Sequence, residues 1–203
     1  LLRFILKRKF AILSSVLMIL GIIICIGSYQ YHANHKDSLT VYNIRGSAAI
    51  EIHYGKSHFM LCNDSTLNEK YIEYAAGGYR IYKRYGKPKE ILFSVPDLMI
   101  DSISFFKLPG CGNLIYNNGK IRIAIISDYS LLQTYSANES LCVEALILAG
   151  INIPDFFSVY KLFHPRWFIV SSSVPVYIPD PESISLHTHY HRISKHGAFV
   201  LDI

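Results

Sequence analysis

Leu141–Ser171 reads LCVEALILAGINIPDFFSVYKLFHPRWFIVS, and the order of elements within it decides the fold class. Leu141–Leu148 is an apolar run bounded by Ala149-Gly150, the pattern of a strand covered on both faces. Asp155–Phe163 has the spacing of a short helix, with Asp155 near its start and His164-Pro165 as its stop. Trp167–Ser171 returns to strand. A strand, helix, strand succession predicts a parallel crossover.

Upstream, the texture differs. Ser38–Ile44 (SLTVYNI) is rich in β-branched and aromatic residues, Ala48–Tyr54 alternates with period two, and Gly55-Lys56 turns the chain into His58–Cys62. These three runs predict a meander. Leu67–Tyr85 changes to helical spacing, with Gly77-Gly78 as an expected break. Ile91–Val95 and Ile103–Leu108 read as strands, and Asn117-Asn118-Gly119 as the turn of a hairpin running into Ile121–Ser127. A meander followed by a crossover makes an all-helical fold or a pure β-sandwich inconsistent with the pattern.

The N-terminal part is of another kind. Phe10–Tyr31 carries no charged side chain over 22 residues, a helix of roughly 33 Å against a hydrocarbon core of about 30 Å. Arg3, Lys7, Arg8 and Lys9 precede it without an acid, so the positive-inside rule places residues 1–9 in the cytoplasm and the domain at 38–203 outside it. No small residue precedes Cys25 as a lipidation site requires, and the segment is read as a retained anchor rather than a cleaved signal. Because the chain opens on Leu1, it is expected to continue from a longer protein.

Net charge is +5, from 20 Lys and Arg against 15 Asp and Glu. Four of those cations lie in the flank of the anchor, which leaves the domain close to neutral and removes global charge as an argument for a polyanion partner. Cys25 sits in the anchor; Cys62, Cys111 and Cys142 have no Cys-x-x-Cys spacing, and buried thiols are the expectation.

Two constellations could carry chemistry. His187, His189 and His191 recur at spacing two, which puts three imidazoles on one face of a strand and could offer two nitrogens to zinc. A solvent-facing edge strand produces the same pattern, and no acid stands at a defined spacing to complete a site. Tyr79–Lys89 interleaves Arg80, Lys83, Arg84, Lys87 and Lys89 with tyrosines, as base stacking and phosphate contact require. An amphipathic helix resting on a sheet would look alike, and anionic lipid is a further ligand for such a face. No nucleophile elbow, Walker loop or dinucleotide fingerprint is present, which disfavours the familiar hydrolases, kinases and dehydrogenases.

Taken in order, Leu39–Leu61 followed by Asp64, Asn117–Asp128, Glu144–Ser173 and His196–Val200 resemble the C-terminal metallo-β-lactamase-like domain of the ComEC-type DNA-uptake channel family, in its diverged Bacteroidetes-like form. The resemblance covers nearly the whole chain. It implies a reduced αββα sandwich behind the last transmembrane helix of a polytopic protein in the bacterial inner membrane, with import of single-stranded DNA as the function of the whole. The departures matter as much. Metal-binding members carry His-x-His-x-Asp-His where this chain reads Pro96-Asp97-Leu98-Met99-Ile100-Asp101, and His-His-Gly where it reads Leu148-Ala149-Gly150. Only Asp128 has a counterpart among the ligands, and one carboxylate cannot hold a dinuclear centre. The expectation is therefore a non-catalytic domain without cofactor, in contact with the membrane, with the rest of the channel and, through Arg80, Lys83, Arg84, Lys87 and Lys89, with single-stranded DNA. The rivals are a metal-dependent nuclease or hydrolase using zinc or another divalent ion at His187, His189, His191 and Asp128, and a small single-pass membrane protein of unknown role.

Overall fold

A computed structural model describes residues 2–34, 37–55, 57–62, 69–83, 85–92, 98–100, 103–107, 114–117, 119, 121–127, 141–150, 156–175 and 188–203. The chain divides into two compact units, Leu1–Lys36 and Asp37–Ile203. The first is one helix, α1 (Leu2–Asn34). Its segment Ile12–Tyr29 is long and apolar enough to cross a membrane, and none of it is buried. Helix extends past both ends of the predicted Phe10–Tyr31 span because the Lys, Arg and Leu residues of the flank are good helix formers and no Gly or Pro interrupts them.

The second unit holds two sheets. Strands β1 (Ser38–Ile44), β2 (Ser47–Tyr54) and β3 (Ser57–Cys62) form the expected antiparallel meander. Helix α2 (Glu69–Lys83) then leads to β4 (Lys89–Leu92), which pairs parallel to β3. Strands β5 (Leu98–Ile100), β6 (Ile103–Lys107), β7 (Leu114–Asn117) and β8 (Arg122–Ile126) follow as an antiparallel series. β9 (Ala145–Leu148), α3 (Phe156–Phe163) and β10 (Trp167–Val170) make the parallel crossover that opened the sequence argument. β11 (His189–Arg192) adds parallel to β10, and after α4 (Ile193–His196) the chain crosses to the other sheet, where β12 (Phe199–Asp202) pairs antiparallel to β1. The sheet orders are β12-β1-β2-β3-β4 and β11-β10-β9-β8-β7-β6-β5.

Three buried clusters define four layers. Leu39, Val41, Ile50, Ile52, Phe59 and Leu61 of the first sheet meet Phe105, Tyr116, Ile123, Ile125, Ile147 and Ile169 of the second. Each fully buried aliphatic side chain there contributes about 2 kcal/mol. The outer face of the first sheet, through Tyr42, Ala49, Met60 and Cys62, packs on Ile72 and Ala76 of α2. The outer face of the second, through Ala124, Leu146, Leu148 and Phe168, packs on Val159 and Phe163 of α3. Strand β9 is buried throughout because Ala145 and Ile147 enter one cluster while Leu146 and Leu148 enter another. The unit is thus a mixed α/β sandwich layered αββα, as expected.

Three expectations are corrected in detail. Helix α2 runs unbroken through Gly77-Gly78. The cost of about 1 kcal/mol per helical glycine is met by docking Ile72 and Ala76 on the sheet. The β9 strand starts at Ala145, not Leu141, and Cys142 is exposed, whereas Cys62 is buried as expected and Cys111 lies outside the described residues. The hairpin forms where Asn117-Asn118-Gly119 predicts it, with Asn117 paired to Arg122 and Gly119 at φ 82°.

Candidate functional site

The expected ligands are dispersed. His187, Asp128 and Arg84 lie outside the described residues. His189 and His191 share one face of β11, the edge strand of its sheet. His189 stacks on Trp167 with ring centroids 4.5 Å apart, and His191 Nε2 donates to the Gly197 carbonyl at 3.0 Å while its ring leans on Phe199 at 5.0 Å. Phe199 belongs to the inter-sheet core and Trp167 packs against it. Among the described residues no group of three or more His, Cys, Asp or Glu side chains could hold a metal ion.

The rim at the ends of β8, β9 and β10, beside the Leu148-Ala149-Gly150 step, has a different chemistry. Its described residues are Ser127, Ala149, Gly150 and Ser171–Ser173, with Ser171 Oγ and Ser173 Oγ 2.6 Å apart. A Cβ placed on Gly150 would lie 1.8 Å from the Ser127 carbonyl oxygen. Position 150 therefore admits no ligating side chain, and hydroxyls and backbone amides are poor donors for zinc, which takes imidazole, thiolate or carboxylate. Among the described residues of this rim there is no imidazole, thiolate or carboxylate.

The most developed polar arrangement lies instead between the first sheet and α2. Glu51 stands in the middle of β2 between Ile50 and Ile52, which point into the inter-sheet core, so period two turns Glu51 and His53 to the helix side. There Glu51 is 3% exposed. Arg80 descends from the inward face of α2, two turns after Ile72, and donates from Nε and Nη2 to Glu51 Oε2 at 2.9 and 2.8 Å. His58 Nε2 meets Glu51 Oε1 at 2.5 Å. Tyr42 lies beside the same carboxylate; burial first and the Glu51 charge next push its phenol far up, so it stays protonated. Tyr85 completes the group by stacking on His53 at 4.1 Å. Burial pushes the Cys62 thiol up to about 11, which makes it a packing residue and not a nucleophile.

Burial alone would raise the Glu51 pKa, but the hydrogen bonds from His58 and Arg80 and their charge outweigh it and hold the carboxyl below its ordinary value. A carboxyl depressed in the folded state stabilises fully above its unfolded pKa, about 4.3, and loses that contribution as pH falls through the folded value. Unfolding free energy is accordingly expected to fall as pH drops below about 4.3, and Glu51→Gln to flatten that part of the profile; urea melts across pH would show it, and an unchanged acid limb would assign the loss to other carboxylates.

This arrangement revises the basic stretch. Arg80 is an internal counter-ion with its side chain 14% exposed. Lys87 pairs with Glu69 at the surface. The Lys83 amine lies over the rings of Tyr79 and Tyr82, 6.0 and 5.9 Å from their centroids, and Lys89 is exposed at the start of β4. A cavity of about 300 Å³ beside α2 is lined by Glu69, Glu73 and Glu90 together with Arg80 and Lys87, and both of these cations are paired with carboxylates. The sequence marks Glu51 as the lone acid in an apolar strand; what it pairs with is set by how α2 crosses the sheet.

A profile of the ComEC C-terminal domain matches residues 39–203. Among solved structures, a Thermotoga maritima protein assigned to the Zn-dependent hydrolases of the metallo-β-lactamase superfamily aligns with 78% of this chain and 83% of its own, at 6% identity and a TM-score of 0.41. No curated protein matches the sequence.

Proposed function

We infer the role of this chain from its family, for it belongs to the ComEC C-terminal domain family: it is a non-catalytic, extracytoplasmic domain of an inner-membrane DNA-translocation protein, held by α1 with its N-terminus in the cytoplasm. Import of single-stranded DNA is the work of the whole protein, the rest of which is this domain's partner, and the domain serves it by binding or assembly. The observation that carries the non-catalytic reading is the rim, where Gly150 is pressed on Ser127 and the neighbouring side chains are serines. No cofactor is assigned.

Contact with single-stranded DNA is proposed for Lys83 and Lys89 with the neighbouring Tyr79, over whose ring the Lys83 amine lies, since Arg80 is committed to Glu51. The test is a titration of the detergent-solubilised chain with a single-stranded oligonucleotide at low and high salt, with and without a chelator. Salt-sensitive binding is expected, weakened by Lys83→Ala with Lys89→Ala and shallower in salt dependence by about one unit of slope per lysine, with the oligonucleotide left intact. Chelator-sensitive cleavage would establish the metal-nuclease reading instead, and salt-independent or absent binding would remove the DNA contact.

A further inference from the structure

Helix α2 is apolar on two sides. Its inward face buries Ile72 and Ala76. At about 100° per residue, the opposite face carries Lys70, Tyr71, Tyr74, Gly78, Ile81 and Tyr82. The large side chains on it are 64% (Tyr71), 93% (Tyr74), 80% (Ile81) and 72% (Tyr82) exposed. Glu69 and Glu73 lie on the flank towards the cavity, so this stripe holds no acid. A helix covering a sheet ordinarily turns its polar side to water; contiguous exposed side chains of this kind mark an interaction surface.

Resting on the membrane-anchored reading above, we propose that this face of α2 lies in the headgroup zone of the bilayer that α1 crosses. Only residues 35–37 separate α1 from β1, a link of at most roughly 14 Å between Asn34 and Ser38 when extended. The domain is thereby tethered at a membrane surface. Tyrosine concentrates at such interfaces because its ring is apolar and its hydroxyl is wet. An amphipathic helix lying in that plane buries its apolar side chains in the upper acyl region, here Ile81 between Tyr74 and Tyr82. Lys70, the one lysine of the stripe, carries the sign of charge that anionic headgroups attract. Single-stranded DNA could also stack on tyrosines, but a stripe with one lysine along its length offers little to a phosphate backbone.

The full chain carrying Tyr74→Trp, reconstituted in vesicles of phosphatidylcholine with phosphatidylglycerol, tests this directly. Position 74 touches no core residue, so folding is preserved, and the natural Trp167 is the internal reference. Emission of the added indole is expected to shift to the blue and to be quenched by lipids brominated near the headgroup, while wild-type emission is not. Red, unquenched emission from a chain that still floats with the vesicles would overturn the proposal and leave the anchor intact. Failure to float would remove the anchor and the proposal together. Quenching by an added oligonucleotide, without quenching by brominated lipid, would reassign the face to nucleic acid.

Discussion

Arg80→Ala is expected to lower unfolding free energy by about 3 to 5 kcal/mol, the cost of leaving one member of a buried ion pair without its partner. Glu51 is 3% exposed and receives two hydrogen bonds from Arg80. When the guanidinium is removed, that carboxylate keeps only the imidazole of His58 as a neutralising partner, beneath a helix that excludes water. Against a total stability of about 5 to 15 kcal/mol, the folded population should fall visibly in a urea melt. Converting the pair together, as Glu51→Leu with Arg80→Met, is expected to recover part of the loss, because neither charge is then stranded. A single substitution with no effect on the midpoint would mean that water reaches Glu51 in solution. Recovery in the double variant separates an ion-pair penalty from loss of packing by the arginine stem.

Gly150→Ala is expected to be comparably damaging, at about 3 to 5 kcal/mol, at the upper end of what overpacking does. The added carbon would meet the Ser127 carbonyl oxygen at 1.8 Å and its carbon at 2.6 Å. Both belong to backbone, where no rotamer change relieves the clash. β8 and β9 pair in parallel immediately before these residues, and the Ala149 amide donates to the Ile126 carbonyl at 2.8 Å, so relief requires parting two central strands. Gly77→Ala supplies the contrast, since a carbon there meets nothing within 4 Å, and in a helix interior it is expected to stabilise by roughly 0.5 to 1 kcal/mol. The same chemical change should move thermal midpoints in opposite directions at the two positions. Equal effects would show that glycine content, not local geometry, governs the response.

The strands were legible wherever the side-chain period survives burial. Ser38–Ile44 forms β1 with the boundaries that its pattern predicts, and the unbroken apolar character of Leu146, Ile147 and Leu148 reports a strand with a core on either side. The break expected at Gly77-Gly78 did not occur because propensity is worth about 1 kcal/mol per glycine, less than the docking of the helix on its sheet. The pairing of Arg80 escaped the sequence for a related reason. Sequence gives the charge of Arg80 but not the partner that neutralises it, and Glu51 lies 29 residues upstream in another element.

By itself, the sequence determined an apolar helix fit to cross a membrane, a meander followed by a parallel crossover, and the family. These are properties of local composition and spacing, which each segment carries alone. Tertiary structure alone decided which polar groups meet. It placed Arg80 on Glu51, pressed Gly150 against Ser127, set His189 and His191 against aromatic rings, and left the tyrosines of α2 facing outward. Such pairings depend on how α2 lies across its sheet and on how closely β8 and β9 approach, and those are set by the packing of the whole core.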